Sequence, residues 1–165
     1  MSIIISSVAA NAQSINIDSI KINENISLSF ALDELIKLNL IDSITPIPQF
    51  MDMSDSDSLV FIGSTYFEYY KETNFCEIGV IILDNKVKTV TINESKLDKL
   101  TTFEEIKKMF PNDCSTLDTI SVYGDNIEYL TCSVGLKTPS GFDLNMHLLF
   151  FFSKNKLKRI DLWEP

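Results

Sequence analysis

Two stretches of this chain obey one grammar, and that duplication restricts its architecture more than any other feature. Asp84-Asn85-Lys86-Val87-Lys88-Thr89-Val90-Thr91-Ile92 parallels Lys154-Asn155-Lys156-Leu157-Lys158-Arg159-Ile160-Asp161-Leu162: a polar turn, an Asn-Lys pair, then spaced apolar residues. Each follows an apolar run, Gly79-Val80-Ile81-Ile82-Leu83 in one case and Leu148-Leu149-Phe150-Phe151-Phe152 in the other. Helical segments precede both, Leu32-Asp33-Glu34-Leu35-Ile36-Lys37 and Phe103-Glu104-Glu105-Ile106-Lys107-Lys108. Internal similarity of this kind indicates an architecture before it indicates a chemistry. It predicts two tandem α-β-β-β-like repeats, residues 27–93 and 101–163. The fold class is then α+β, with two helices packed on one antiparallel sheet of about seven strands.

The chain has 165 residues, which suits one α+β domain over 13–165, able to bury a core without metal or disulfide help. Eleven Phe and five Tyr supply the bulk for a sheet-on-helix core. A net charge of -9, from 23 acidic against 14 basic residues, disfavours nucleic acid and anionic membranes and suits a basic partner. The same acidity also serves solubility.

Near the start, Ile3-Ile4-Ile5-Ser6-Ser7-Val8-Ala9-Ala10 runs into Ala10-Asn11-Ala12, a small-x-small triplet like a signal-peptidase site. No Lys or Arg precedes this run, and it is short for a signal core. Residues 1–12 are expected to be a truncated signal peptide, with a mature N-terminus at Gln13 and a periplasmic or secreted protein. If the segment is instead a first strand or a frayed end, the cytoplasm is the alternative. No segment reaches the ~20 apolar residues of a membrane span, so no membrane insertion is expected.

In an oxidising compartment Cys114 and Cys132 can pair across the base of a predicted hairpin, leaving Cys76 as a buried free thiol. In a reducing one all three are small core residues. Neither a CxxC nor a Cys/His cluster occurs, and no metal site or cofactor is expected.

Along the chain, Leu28, Ala31, Leu32, Leu35 and Ile36 fall at helical spacing, with Ser27 or Ser29 available to cap. Thr45-Pro46-Ile47-Pro48 ends that element. Strands are predicted at Leu59–Ile62, Tyr66–Tyr70, Cys76–Leu83 and Lys86–Asn93, with Lys71 to Asn74 as a turn. The second half opens on Thr101-Thr102-Phe103-Glu104-Glu105, which contains two overlapping capping boxes, and Pro111 closes its helix. Strands near 118–123, 127–134, 142–152 and 156–163 follow, with a loop over Gly135–Gly141.

This unit, a capped helix and then antiparallel strands ending in Asn-Lys-Val/Leu-Lys-x-Val/Ile, resembles the tandem modules of the β-lactamase inhibitory protein class. The resemblance covers residues 27–92 and 101–163. It implies binding of another protein across a concave sheet. A small acidic exported protein of this kind is also similar in character to bacterial toxin-immunity proteins.

Catalytic and metal chemistry find little support. His147 is the only histidine and has no nucleophile signature beside it. Asp52, Asp55 and Asp57 form the one dense carboxylate cluster, but neither register supplies the Gly and Glu of a calcium loop. Only 5 Gly occur, and none forms a phosphate loop. In Tyr66-Phe67-Glu68-Tyr69-Tyr70, alternation places Tyr66, Glu68 and Tyr70 on one face. The expected partner surface therefore comprises Asp52, Asp55, Asp57, Tyr66, Glu68 and Tyr70, used by an exported inhibitor or immunity protein against a basic toxin or enzyme. The alternatives are a small-ligand or envelope-associated binding protein, which a deep apolar cavity would favour, and an enzyme, which a buried His147 beside an acid would favour.

Overall fold

A computed structural model of the chain describes residues 15–51 and 54–164. The expected signal remnant 1–12 and Asp52 lie outside the described residues. Thirteen strands and two helices succeed one another: β1 Ile15–Asn16, β2 Lys21–Ile22, β3 Ser29–Ala31, α1 Leu32–Leu38, β4 Ser43–Pro46, β5 Ser58–Ile62, β6 Thr65–Tyr70, β7 Phe75–Ile82, β8 Thr89–Ile92, β9 Ser95–Asp98, α2 Phe103–Met109, β10 Asp118–Ser121, β11 Glu128–Lys137, β12 Asp143–Ser153 and β13 Lys156–Trp163.

The α+β class holds, but the main sheet has ten strands where about seven were expected. A second sheet of three strands, β2-β8-β9, stands apart from it. The principal order is β1-β11-β12-β13-β7-β6-β5-β4, with β10 also on β11 and β3 also on β7. From the β7–β13 junction outward, each half runs helix and then four strands: α1-β4-β5-β6-β7 against α2-β10-β11-β12-β13. The strand that was not expected is β4, which ends in Pro46, whereas the strand expected near 118–123 is β10. One pairing, β1 with β11, is parallel.

The two segments that revealed the duplication are not spatial equivalents. Lys154 and Asn155 form a tight turn with φ of 51° and 57° and feed β13 into the main sheet. Residues 84–88 form a loop instead, and β8 pairs with β2 and β9. Turns equivalent to Lys154-Asn155 in torsion are Asn93-Glu94, with φ of 46° and 69°, and Asn23-Glu24, with φ of 46° and 73°. Positive φ at both turn positions matches the twist of the flanking strands.

Helix α1 starts later than the apolar spacing predicts. Residues 29–31 pair with β7 as a strand, and Ala31 caps the helix without a side-chain bond. Ser27 accepts a hydrogen bond from Lys21 Nζ at 2.8 Å and caps nothing. Asn39, at φ 52°, closes the helix in the left-handed region. In α2 the Thr102–Glu105 capping box forms, while Thr101 accepts from the Asp98 amide at 2.9 Å. The strand after 134 also continues: β11 reaches Lys137, so the loop spans only 138–142.

One face of the main sheet carries the core. Leu35 of α1, Ile106 and Phe110 at α2, and Val90 and Ile92 of the small sheet join Phe67, Ile78, Ile81, Phe150 and Ile160 in a single buried cluster. Phe103 meets Phe152 edge-on at 5.5 Å and Phe110 stacks on Phe150 at 6.2 Å, which seats α2 over β12. Cys114 and Cys132 form a disulfide with Cα atoms 5.2 Å apart. It lies just beyond the base of the β10–β11 hairpin, whose last pair is Asp118 with Thr131, and ties the turn after α2, where the Cys114 amide bonds Phe110 O at 3.0 Å, to the core side of β11.

The β5–β6 turn is held by two carboxylates. Asp84 accepts from the amides of Ser64, Lys86 and Val87 at 2.8, 2.7 and 2.9 Å. Asp42 accepts from the Gly63 amide at 2.6 Å and from Lys86 Nζ at 2.8 Å. Gly63 has φ +60°, and a Cβ there would collide with the Asp84 carboxylate. Burial opposes ionisation of Asp84, but the Val87, Ser64 and Lys86 amides outweigh it and hold the carboxyl below its usual range.

A carboxyl depressed in the folded state stabilises above its unfolded pKa and loses that contribution as pH falls through the folded value. Asp84→Ala should therefore destabilise by about 2 kcal/mol near neutrality, with the difference from wild type shrinking below about pH 4. Urea unfolding across pH measures both; a pH-independent difference would contradict the assignment. Removing the cross-link as Cys114→Ala/Cys132→Ala should cost about 3 kcal/mol by chain entropy, measured by the same unfolding curves.

Candidate functional site

With the core on one side, the other face of the sheet carries no helix among the described residues. Cross-strand partners lie on the same face, so register traces one continuous row: Ser133, Leu149, Asp161, Val80, Tyr66, Phe61 and Ser43. Tyr66 sits beside Val80, the middle residue of this row. A register shift after Tyr66 leaves Gly79 beneath its ring, where any Cβ would overlap the aromatic carbons. Burial raises the Tyr66 phenol, against the pull of Arg159.

Beside Tyr66 lies a largely buried ion pair. Arg159 Nε and Nη2 bond the Asp161 oxygens at 2.6 and 2.7 Å, and the guanidinium lies over the Phe151 ring at 5.3 Å. Burial keeps the Asp161 carboxyl raised despite this partner.

Two residues along β6 from Tyr66 the face becomes acidic. Glu68 and Glu77 are direct cross-strand partners, as are Tyr70 and Phe75. A groove of about 680 Å³ opens here, lined by Asp55, Asp57, Tyr70, Glu72, Phe75 and Glu77. Ser54 donates to Glu68 Oε2 at 2.8 Å, and Asp57 Oδ2 accepts the Lys71 amide at 2.7 Å. Among the described residues the salt bridges lie elsewhere, so Asp55, Asp57, Glu68, Glu72 and Glu77 have no cationic partner. Tyr70 registers this field: burial, then Glu68, Glu77 and Asp55, push its phenol up to about 12. Like charges opposed across a ladder destabilise a sheet. Here the protein retains them around an aromatic floor.

The expected surface residues are therefore distributed as follows. Asp55, Asp57 and Tyr70 share the groove; Glu68 adjoins it, and Tyr66 stands farther along the same face. Glu72, Phe75 and Glu77 were not anticipated. Their signal was available in the predicted turn at Lys71–Asn74, which places Tyr70 opposite Phe75 and Glu68 opposite Glu77.

No described group of His, Cys, Asp and Glu has the geometry to hold a metal ion. His147 lies on the same face, with Nδ1 3.0 Å from Ser133 Oγ and its ring edge-on to Trp163 at 5.9 Å. Among the described residues no carboxylate hydrogen-bonds this ring. Farther out, a second cavity of about 600 Å³ lies against β10–β13, near Trp163. No described helix is long and apolar enough to cross a membrane.

Neutralising Glu68 and Glu77 as Glu68→Gln/Glu77→Gln should lower the Tyr70 pKa from about 12, since both charges oppose the phenolate. Ultraviolet pH titration, taken as the difference from Tyr70→Phe, reads this; an unchanged midpoint would assign the shift to burial alone.

Comparison with protein-family models, curated proteins and solved structures gives no match to this chain.

Proposed function

We propose that this chain is an exported protein-binding inhibitor or immunity protein. Acting in the periplasm or outside the cell, it neutralises a basic partner protein, a bacterial toxin or effector, by surface complementarity and without a cofactor. The observation that carries this reading is the acidic groove, beside which Glu68 faces Glu77 and whose carboxylates have no cationic partner among the described residues. A fold that keeps such repulsion on an open face gains when a cation arrives from outside. Repeated helix-and-strand halves that leave one broad sheet face without a described helix support the reading of a scaffold that presents a surface.

The second reading, a periplasmic small-ligand or envelope-associated binding protein, draws on the cavity of about 600 Å³, a volume within the range of small-molecule sites.

Affinity capture from the native cell envelope identifies the partner, and variants then assign roles. Asp55→Asn/Asp57→Asn should slow association and flatten its salt dependence, because rim charges act mainly on encounter. Tyr66→Ala or Tyr70→Ala should raise the dissociation rate, at a cost of about 2 kcal/mol for a buried anchor. Unchanged kinetics in all these variants would move the interface off this face.

A further inference from the structure

We propose that the cavity near Trp163 is the anchor pocket of this face, receiving an apolar side chain flanked by basic residues from the partner protein. The inference rests on the protein-binding reading and adds to it the chemistry of the inserted group.

The lining has two components. Ile120, Leu149, Phe151 and Trp163 give it an apolar interior, suited to an aromatic or large aliphatic group. Its charged members are Asp113, Asp118 and Asp161, and no cation lines it. Asp161 is already neutralised by Arg159, but Asp113 and Asp118 have no ion pair among the described residues. An apolar hole beside two uncompensated carboxylates complements an apolar side chain with Arg or Lys beside it, and repels an acidic segment.

Placement favours a protein over a free small molecule. The cavity opens on the sheet face, with Trp163 46% exposed. Leu149 and Asp161 belong to the row of paired residues that crosses the β7–β13 junction to Tyr66, two positions from Glu68. One basic partner surface can therefore seat an apolar anchor in the cavity while its cations face the acidic groove. Apolar pockets ringed by water-excluding contacts carry most of the energy in such interfaces, whereas acidic rims govern encounter.

Trp163 is the sole tryptophan, so its indole reports on the pocket without labelling. The probes are three capped peptides: acetyl-Arg-Phe-Arg-amide, acetyl-Glu-Phe-Glu-amide and acetyl-Arg-Gly-Arg-amide. In NMR titrations the first should shift the Trp163 indole proton and the Leu149 methyls saturably. Its affinity should exceed that of the other two by about tenfold, and Asp113→Asn/Asp118→Asn should remove most of the advantage over the Glu peptide. Saturable shifts at Thr73 and Phe75 with none at Trp163 would overturn the anchor assignment yet leave the basic-partner reading intact. Equal binding of Arg and Glu peptides would overturn the anchor and that reading together. A small molecule retained in native mass spectra of the protein, and displaced by none of the peptides, would overturn the proposal in favour of a small-ligand site.

Discussion

Three residue pairs hold the main sheet together. Arg159, Ile160 and Asp161 of β13 lie opposite Ile82, Ile81 and Val80 of β7, and Ile81 and Ile160 are both 1% exposed. Without this junction each half would present a long, apolar inner strand with an unsatisfied backbone, the kind of edge that pairs indiscriminately. With it, the long strands are interior. The outer margins fall to β4, which ends in Pro46, to four-residue β10 and to two-residue β1. Short edges and proline are the means by which open sheets avoid association. The same junction fixes which side chains become neighbours on the uncovered face: Arg159 and Asp161 reach their central position only because β13 meets β7 there.

That placement divides the face in two. On the β6–β7 side the charges are uncompensated and surround tyrosine. On the β10–β13 side the cation next to the row, Arg159, is held by Asp161 and stacked on Phe151, leaving an apolar hollow beyond it. Helix and strand succession repeats between the halves, but their surface chemistry does not. Backbone architecture and surface chemistry have thus been separated, as expected when function resides in side chains mounted on a scaffold.

The long, strongly patterned elements were legible in the sequence: β6, β7, β12, β13 and the capped start of α2. What escaped was set by tertiary pairing. Residues 29–31 have helical spacing but accept a strand partner from β7, and β8 leaves the main sheet because β13 occupies the site beside β7 that a simple meander would give it. Periodicity reports which face is apolar and not which strand lies next door. The acidic groove was half legible. Asp55 and Asp57 announce themselves by density, whereas Glu77 matters only once hairpin register sets it against Glu68.

Cys76, the odd cysteine of the chain, bears on which sulfurs remain open to exchange. It is fully buried on β7, opposite Phe30 of β3, and burial pushes its thiol up to about 11, far from the thiolate that attacks other sulfurs. Three cysteines permit three pairings, yet the packed first half withdraws one sulfur from exchange. Cys114 and Cys132 are then the two sulfurs left to pair, and their cross-link lies entirely within the second half.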